Sequence, residues 1–145
     1  MKHLILLLLF CTSISYSQNT DYNTKKGFIA NGYDVVAYFN NEAKAGNKLF
    51  VSEFDGIRFK FSSKENLDSF NKNPKKYIPE YGGYCAYAVA LKSSKVSINP
   101  ETFKIEDGKL YLFYNAWGTN TLELWQKENP TLLKQKADKN WELIK

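Results

Sequence analysis

Alternation of apolar and polar residues marks a first pair of strands. In residues 57–61, apolar side chains alternate with Arg58 and Lys60, the pattern of a strand with one buried face and one exposed face. Residues 49–54 precede this stretch, and the Asp55-Gly56 pair between them is typical of a two-residue hairpin turn. The pattern therefore predicts a β-hairpin over residues 49–61.

The same turn chemistry recurs in the second half of the chain. Residues 102–105 and 109–114 are rich in β-branched, apolar and aromatic residues, and Asp107-Gly108 separates them. We expect a second hairpin here. Near the N-terminal end of the predicted domain, residues 35–39 fit either a short strand or a helical turn.

Helical spacing of apolar residues, together with capping signals, predicts three to four helices. The first begins at Ser62, where Glu65 three residues later completes a capping box, and Asn73-Pro74 ends it. The last begins at Asn129-Pro130, a good N-cap and first-turn pair. Two more are expected at residues 84–91 and 117–128. The tryptophans expected in the core are Trp117, Trp125 and Trp141. The predicted fold class is α+β, with two β-hairpins packed against these helices.

The first 17 residues have the pattern of a secretory signal peptide. A basic start is followed by the apolar run Leu4 to Phe10 and then by small residues that include Ser15 and Ser17. The run is far shorter than the roughly 20 residues of a spanning helix, which favours cleavage over a membrane anchor. Cys11 suggests a lipoprotein, but Phe10 is too bulky for the residue before a lipidated cysteine. We expect cleavage after Ser17, and export to the periplasm or the extracellular space with no membrane span in the mature chain.

The expected organisation has three parts: a signal peptide at residues 1–17, a flexible polar segment at 18–26, and one domain at 27–145. The formal net charge is +5 at pH 7, carried by lysines spread along the chain. Nucleic-acid binders more often cluster Arg and Lys, so we interpret the charge as a solvated surface and expect no nucleic-acid partner.

Removing residues 1–17 leaves a chain with one cysteine, Cys85, and no histidine. An intrachain disulfide, a zinc site of the common Cys/His type and a Ser-His-Asp or Cys-His catalytic arrangement are thereby excluded. The only methionine is Met1, so thioether metal ligands are absent too. We expect a protein that is not an enzyme.

Several motifs, in order, resemble those of secreted single-domain proteins of the YHS-domain family, and they extend from Gly32 to Lys145. They are Gly32-Tyr33-Asp34-Val35-Val36-Ala37-Tyr38-Phe39, Phe59-Lys60-Phe61-Ser62-Ser63 followed by Phe70, Pro74 and Tyr77, Tyr81-Gly82-Gly83-Tyr84-Cys85-Ala86, Asp107-Gly108-Lys109-Leu110-Tyr111-Leu112, and Ala137-Asp138 with Trp141. The resemblance implies a YHS-like domain. It also implies metal handling, because YHS domains occur in copper-transporting ATPases. In those members two cysteines stand where this chain has Ser62 and Asn66.

The motif around Cys85 is the best candidate site. Two glycines precede Tyr84 and Cys85, so the thiol is expected at the start of a helix, where a thiolate is stabilised. Tyr81 and Tyr84 are the candidate ligand-binding side chains, and Cys85 and Asp34 the candidate metal ligands, all in one small pocket. The metal would be a copper or an iron ion.

Three functions remain open from the sequence. The first is a module that binds a metal ion or a small ligand near Cys85. The second is a thiol-redox or stress-response protein that uses Cys85. The third is a structural domain with an envelope protein as its partner, in which Cys85 is only a small buried side chain.

Overall fold

The computed structural model describes residues 21–145; the predicted signal peptide and Gln18–Thr20 lie outside the described residues. A four-stranded sheet forms the first half. Its strands in chain order are β1 (Thr24–Lys25), β2 (Phe28–Ile29), β3 (Asn47–Phe54) and β4 (Ile57–Phe61). Their order in space is β1-β2-β4-β3, with β2 parallel to β4 and the other pairs antiparallel.

Helices and two small hairpins make up the rest. They are α1 (Lys64–Lys72), α2 (Ala86–Lys92), β5 (Asn99–Glu106), β6 (Lys109–Phe113), β7 (Asn115–Ala116), β8 (Thr119–Asn120), α3 (Thr121–Lys127) and α4 (Pro130–Ile144). Short 3-10 turns lie at Ala30–Gly32, Ala37–Asn40, Pro74–Lys76 and Glu80–Gly83. The predicted α+β class, with both predicted hairpins and three to four helices, is confirmed. Two further hairpins, β1–β2 and β7–β8, were not predicted. Of the two alternatives for residues 35–39, the helical turn is the one formed.

Every hairpin within residues 21–145 turns through a residue followed by glycine, both with positive φ. At the two predicted turns the φ values are 54° and 74° for Asp55 and Gly56, and 51° and 71° for Asp107 and Gly108. Lys26-Gly27, between β1 and β2, and Trp117-Gly118, between β7 and β8, repeat this geometry. Positive φ at both central residues defines the turn whose twist matches that of paired strands.

The prediction of a helix beginning at residue 117 is wrong. Trp117 lies in the left-handed region with φ 53°, and its side chain is 96% exposed. The helix α3 begins at Thr121 instead, because the side chain of Asn120 accepts a hydrogen bond from Leu122 N–H (3.1 Å) and caps it. Trp125 of this helix is fully buried as expected.

The predicted capping box at Ser62 is also wrong. The N-cap of α1 is Ser63, whose hydroxyl accepts from the backbone N–H of Asn66 at 3.2 Å. Ser62 is engaged with Asp34 and is not free to cap the helix. The predicted end at Asn73-Pro74 is correct, and Asn129 caps α4 as expected by accepting from Leu132 N–H (3.1 Å).

Residues 21–26, the described part of the segment expected to be flexible at 18–26, form contacts with the rest of the domain. The backbone N–H of Asn23 donates to the Gly82 carbonyl at 2.8 Å. The side-chain amide of Asn23 donates to the Gly83 carbonyl at 3.0 Å. Asn23 is buried, and Thr24–Lys25 pair with β2. Residues 21–26, the N-terminal arm, therefore lie against the glycine motif that precedes Cys85.

Two apolar clusters form the core, and β6 lies between them. The first cluster contains Ile29, Val35, Phe59, Phe61, Phe70, Cys85, Leu110 and Leu112 among others. The second contains Tyr81, Val89, Tyr111, Phe113, Trp125, Leu133 and Ala137 among others. Because side chains alternate along a strand, successive residues of β6 enter opposite clusters. This strand joins the two halves of the domain. Within residues 21–145 no helix is long and apolar enough to cross a membrane.

Candidate functional site

The glycine motif places Cys85 at the N-cap of α2. Tyr81 and Gly82 adopt left-handed conformations with φ 54° and 60°, which turn the chain sharply before the helix. The backbone N–H of Cys85 then donates to the carbonyl of Val96 at 3.0 Å. The prediction that Tyr84 and Cys85 lie at or near a helix start is confirmed, with Ala86 as the first helical residue.

Among the described residues, the Cys85 sulfur has one hydrogen-bond partner, the Thr121 hydroxyl, 3.3 Å away. That hydroxyl donates its single hydrogen to the Tyr114 carbonyl at 2.8 Å. Because a hydroxyl has only one hydrogen, the thiol must be the donor in its contact with Thr121. Cys85 is 0% exposed. The S–H group of Cys85 therefore donates a hydrogen bond within the protein interior.

A pocket of about 490 Å³ lies beside this thiol. It is formed by one face of α2, the following loop, β8 and α3. Its walls are Cys85, Tyr87, Ala88, Leu91, Lys92, Val96, Tyr114, Thr119, Thr121 and Leu124. The volume is in the range of small-molecule sites, and an apolar wall with a few polar groups is the usual composition of such sites.

Two of the polar side chains in the pocket wall, Tyr87 and Lys92, show different chemistry. The Tyr87 hydroxyl donates to Glu128 Oε1 at 2.6 Å. This bond, followed by burial, raises the pKa of Tyr87 to about 12, so the phenol is protonated at neutral pH. Lys92, in the last turn of α2, adds an ammonium group at an exposed position. The pocket thus offers mainly apolar surface, one cation, and the hydroxyls of Tyr114 and Thr119.

Asp34 is not part of this pocket. Its carboxylate is 0% exposed and accepts five hydrogen bonds. One oxygen accepts from the backbone N–H groups of Val36 (2.9 Å) and Ala37 (3.2 Å). The other accepts from Ser62 N–H, Ser62 Oγ and Asn66 Nδ2, all at 2.7 Å. The expectation of a shared pocket with Cys85 is wrong, because these donors hold Asp34 between β4, α1 and the turn at Ala37–Asn40.

Tyr81 and Tyr84 also point away from the thiol pocket. The Tyr81 hydroxyl donates to Asp138 Oδ1 at 2.8 Å, and burial followed by this bond raises its pKa well above the usual range. The Tyr84 hydroxyl donates to Asp21 Oδ2 at 3.1 Å, and its pKa is raised by burial and then by this bond. Both hydroxyls are engaged with carboxylates, and neither residue lines the pocket beside Cys85.

The donor set does not fit the expected metal site. Within residues 21–145 no group of three or more His, Cys, Asp and Glu side chains lies close enough together to hold a metal ion. Among these residues the Cys85 sulfur has only the Thr121 hydroxyl as a hydrogen-bond partner, and the oxygens of Asp34 are taken by N–H and O–H donors. A copper or iron ion held by both residues would need each to give up these bonds.

Sequence reasoning missed most of the pocket wall. Ala88 and Lys92 follow Cys85 at helical spacing, so a helical projection of residues 85–92 would have indicated one common face. The sequence did not indicate that Thr119 and Thr121 belong to the pocket wall, because residues 117–128 have the pattern of one helix. Only Gly118 is typical of a turn there.

Fold and pocket together define a small α+β domain with an apolar ligand-sized pocket at the start of a helix. Comparisons with protein-family models, with curated proteins and with solved structures found no match for this chain.

Proposed function

We propose that this protein is an exported, non-catalytic binding protein that holds a small, mainly apolar organic molecule in the pocket beside Cys85. The proposal keeps the ligand-binding hypothesis derived from the sequence and replaces the metal ion by an organic ligand. The resemblance to secreted YHS-domain proteins is part of the same proposal.

One observation carries it: the pocket of about 490 Å³ whose wall is mostly Ala, Val, Leu and aromatic side chains. Burying the apolar surface of a ligand there would contribute roughly 25 cal/mol per Å². The polar groups in the wall are few, and the Cys85 thiol and the Tyr87 hydroxyl are engaged with other protein groups. A mainly apolar ligand leaves those bonds intact, whereas a strongly polar one would find few free partners.

Binding of the neutral fluorescent probe N-phenyl-1-naphthylamine by the purified protein tests the proposal. Two variants alter the wall: Ala88→Leu fills part of the pocket, and Leu91→Asp places a carboxylate at a wall residue that is 43% exposed. Leu143→Asp is the matched control, because Leu143 is 76% exposed and lies outside the pocket. Thermal unfolding of each variant verifies folding.

We expect the parent to enhance the probe's fluorescence, and both wall variants to weaken binding at least about tenfold, as the loss of roughly 1.4 kcal/mol would do. The Leu143→Asp variant should bind like the parent. No binding by the parent, or equal binding by all folded variants, would refute the proposal. If the parent binds the probe and the wall variants do not, mass spectrometry of protein purified under non-denaturing conditions would identify the natural ligand.

A further inference from the structure

A cluster of cations surrounds Phe28 of β2, and the cavities beside it share no wall residue with the pocket beside Cys85. Two open cavities adjoin this ring. The larger, of about 440 Å³, is lined by Lys25, Lys26 and Lys60 together with neutral residues that include Tyr33. The smaller, of about 290 Å³, is lined by Phe28, Val51 and the cations Lys48, Arg58 and Lys60. Lys60 belongs to both walls.

The Phe28 ring fixes two of these cations. Lys60 Nζ lies 4.1 Å from the ring centroid, and Arg58 Cζ lies 4.3 Å from it. Both are within the range of cation–π attraction. On its other side Lys60 packs against Gly32, where an added Cβ would lie 3.7 Å from Lys60 Cδ and 4.0 Å from Lys60 Nζ. The ammonium group is thereby held at the wall of the larger cavity.

These cations lack acidic partners. Within residues 21–145, none of the five cations that line the two cavities forms an ion pair shorter than 4.0 Å. Lysines elsewhere, such as Lys95 and Lys134, each pair with an aspartate. Two carboxylates are close in the fold. Glu53 lies opposite Arg58 in the β3–β4 register, and Glu101 accepts a hydrogen bond from Tyr33 at 3.3 Å. Even with both counted, the group keeps a net positive charge.

We propose that the larger cavity is a binding site for a small multivalent oxyanion that carries phosphoryl groups. Like charges gathered at the wall of a cleft create a positive potential that an anion relieves, and lysine ammonium groups bind phosphate as point charges. Tyr33 adds an aromatic face to the same wall, while its hydroxyl donates to Glu101. This site is separate from the pocket beside Cys85, and it does not depend on the function proposed for that pocket.

Calorimetric titration of the purified protein with pyrophosphate tests the site. Lys60→Gln removes the central cation, and Lys25→Gln with Lys26→Gln removes the two others of the larger cavity. Lys136→Gln with Lys139→Gln is the matched control for the double variant, because these two exposed lysines of α4 line neither cavity and change the net charge equally; Lys136→Gln alone is the control for Lys60→Gln. Thermal unfolding verifies each fold, and the second variant tests the site even if Lys60→Gln is unstable.

We expect saturable binding of pyrophosphate that weakens as NaCl is added, because exposed charges are screened. Each cavity variant should lose at least about tenfold in affinity, as the loss of one charge-assisted contact would cause, and the controls should stay within about twofold of the parent. Comparison of glycerol phosphate with phosphatidylglycerol vesicles distinguishes a soluble phosphate ester from a lipid headgroup. The proposal is overturned if pyrophosphate does not bind, if citrate binds more tightly than pyrophosphate, or if the controls lose as much affinity as the cavity variants.

Discussion

Asp34 is the residue whose role differs most between sequence and structure. As a metal ligand it would need free oxygens in a site with other ligands. Instead, its oxygens accept two backbone N–H groups at the start of a helical turn and three donors from Ser62 and Asn66. A buried carboxylate is tolerated only when its oxygens are satisfied in this way. Asp34 therefore ties the turn at Ala37–Asn40 to β4 and α1.

We expect Asp34→Asn to reduce the free energy of unfolding by about 3 kcal/mol. The amide removes the charge that strengthens these bonds and points hydrogens at groups that are already donors. Asp68→Asn is the matched control, because Asp68 is 47% exposed and pairs only with Lys64; it should cost about 0.5 kcal/mol or less. Urea denaturation measures both. Equal, small losses in the two variants would show that Asp34 does not anchor these elements.

The Tyr87–Glu128 bond beside the pocket gives a pH dependence of known sign. The bond raises the pKa of Tyr87 from 10.0 to about 12. A group whose pKa is raised on folding contributes stability that is fully present below its unfolded value and is lost as pH rises through its folded value. The contribution is therefore complete below pH 10 and disappears towards pH 12.

Difference absorbance titration of the parent against Tyr87→Phe isolates this phenol. We expect a midpoint near 12, and a return towards 10 in the Glu128→Gln background, because the charged acceptor is replaced by a neutral and weaker one. Glu142→Gln removes the same charge at a carboxylate paired with Lys145 instead, and should leave the midpoint unchanged. A midpoint near 10 in the parent would contradict the 2.6 Å bond.

At the scale of elements, the glycine motif before α2 does more than allow a turn. Gly82 has φ 60°, and an added Cβ would lie 2.6 Å from the backbone oxygen of Asp21 and 3.0 Å from Trp141 Cη2. The N-terminal arm and α4 both pack closely against this position. Gly56, in the β3–β4 turn, has φ 74° but has no atom within 4 Å of its Cβ position.

This pair of glycines separates backbone strain from steric contact. We expect Gly56→Ala to cost about 1 kcal/mol, because a left-handed conformation is unfavourable for alanine. Gly82→Ala carries the same strain and also forces Asp21 and Trp141 apart, for a total of about 3 kcal/mol. Chemical denaturation of the two variants side by side gives the difference. If the two variants lost equal free energy of unfolding, close packing at Gly82 would not contribute to stability.

At the scale of the whole molecule, β6 makes the two core clusters interdependent. Leu110 and Leu112 lie in the first cluster, and Tyr111 and Phe113 in the second. Neither cluster can lose this strand without exposing its own interior. The domain should therefore open as one cooperative unit.

Hydrogen exchange monitored by NMR tests this cooperativity. We expect Leu112→Ala to lower the global stability by about 3 kcal/mol, since it leaves a cavity in the first cluster. The slowest amides of β4 and those of α4 should lose the same amount, although α4 supplies residues to the second cluster. The exposed Leu143→Ala serves as the control and should change neither set. Unchanged exchange in α4 of the Leu112→Ala variant would show two independent units.

Local chemistry alone determined a large part of this fold. The Asp55-Gly56 and Asp107-Gly108 turns, the Asn129-Pro130 cap and the buried face of β4 could be predicted because each depends on residues a few positions apart. The helix start beside Cys85 followed from the same kind of signal. The sequence of residues 21–145 also excludes an internal disulfide, a Cys/His zinc site and a histidine-based site, since this part of the chain has one cysteine and no histidine.

Tertiary structure decided what depends on distant residues. Trp117 is exposed on a turn because strands of two residues pair around Gly118, which no helical periodicity reveals. Asp34 lies with Ser62 and Asn66 and not with Cys85, because partners 28 and 32 residues away satisfy its charge. Lysines spread along the sequence gather at Phe28 because β1, β2 and β4 are neighbours in the sheet. Burial, charge pairing and pocket walls are properties of the folded chain, so these features required the structure.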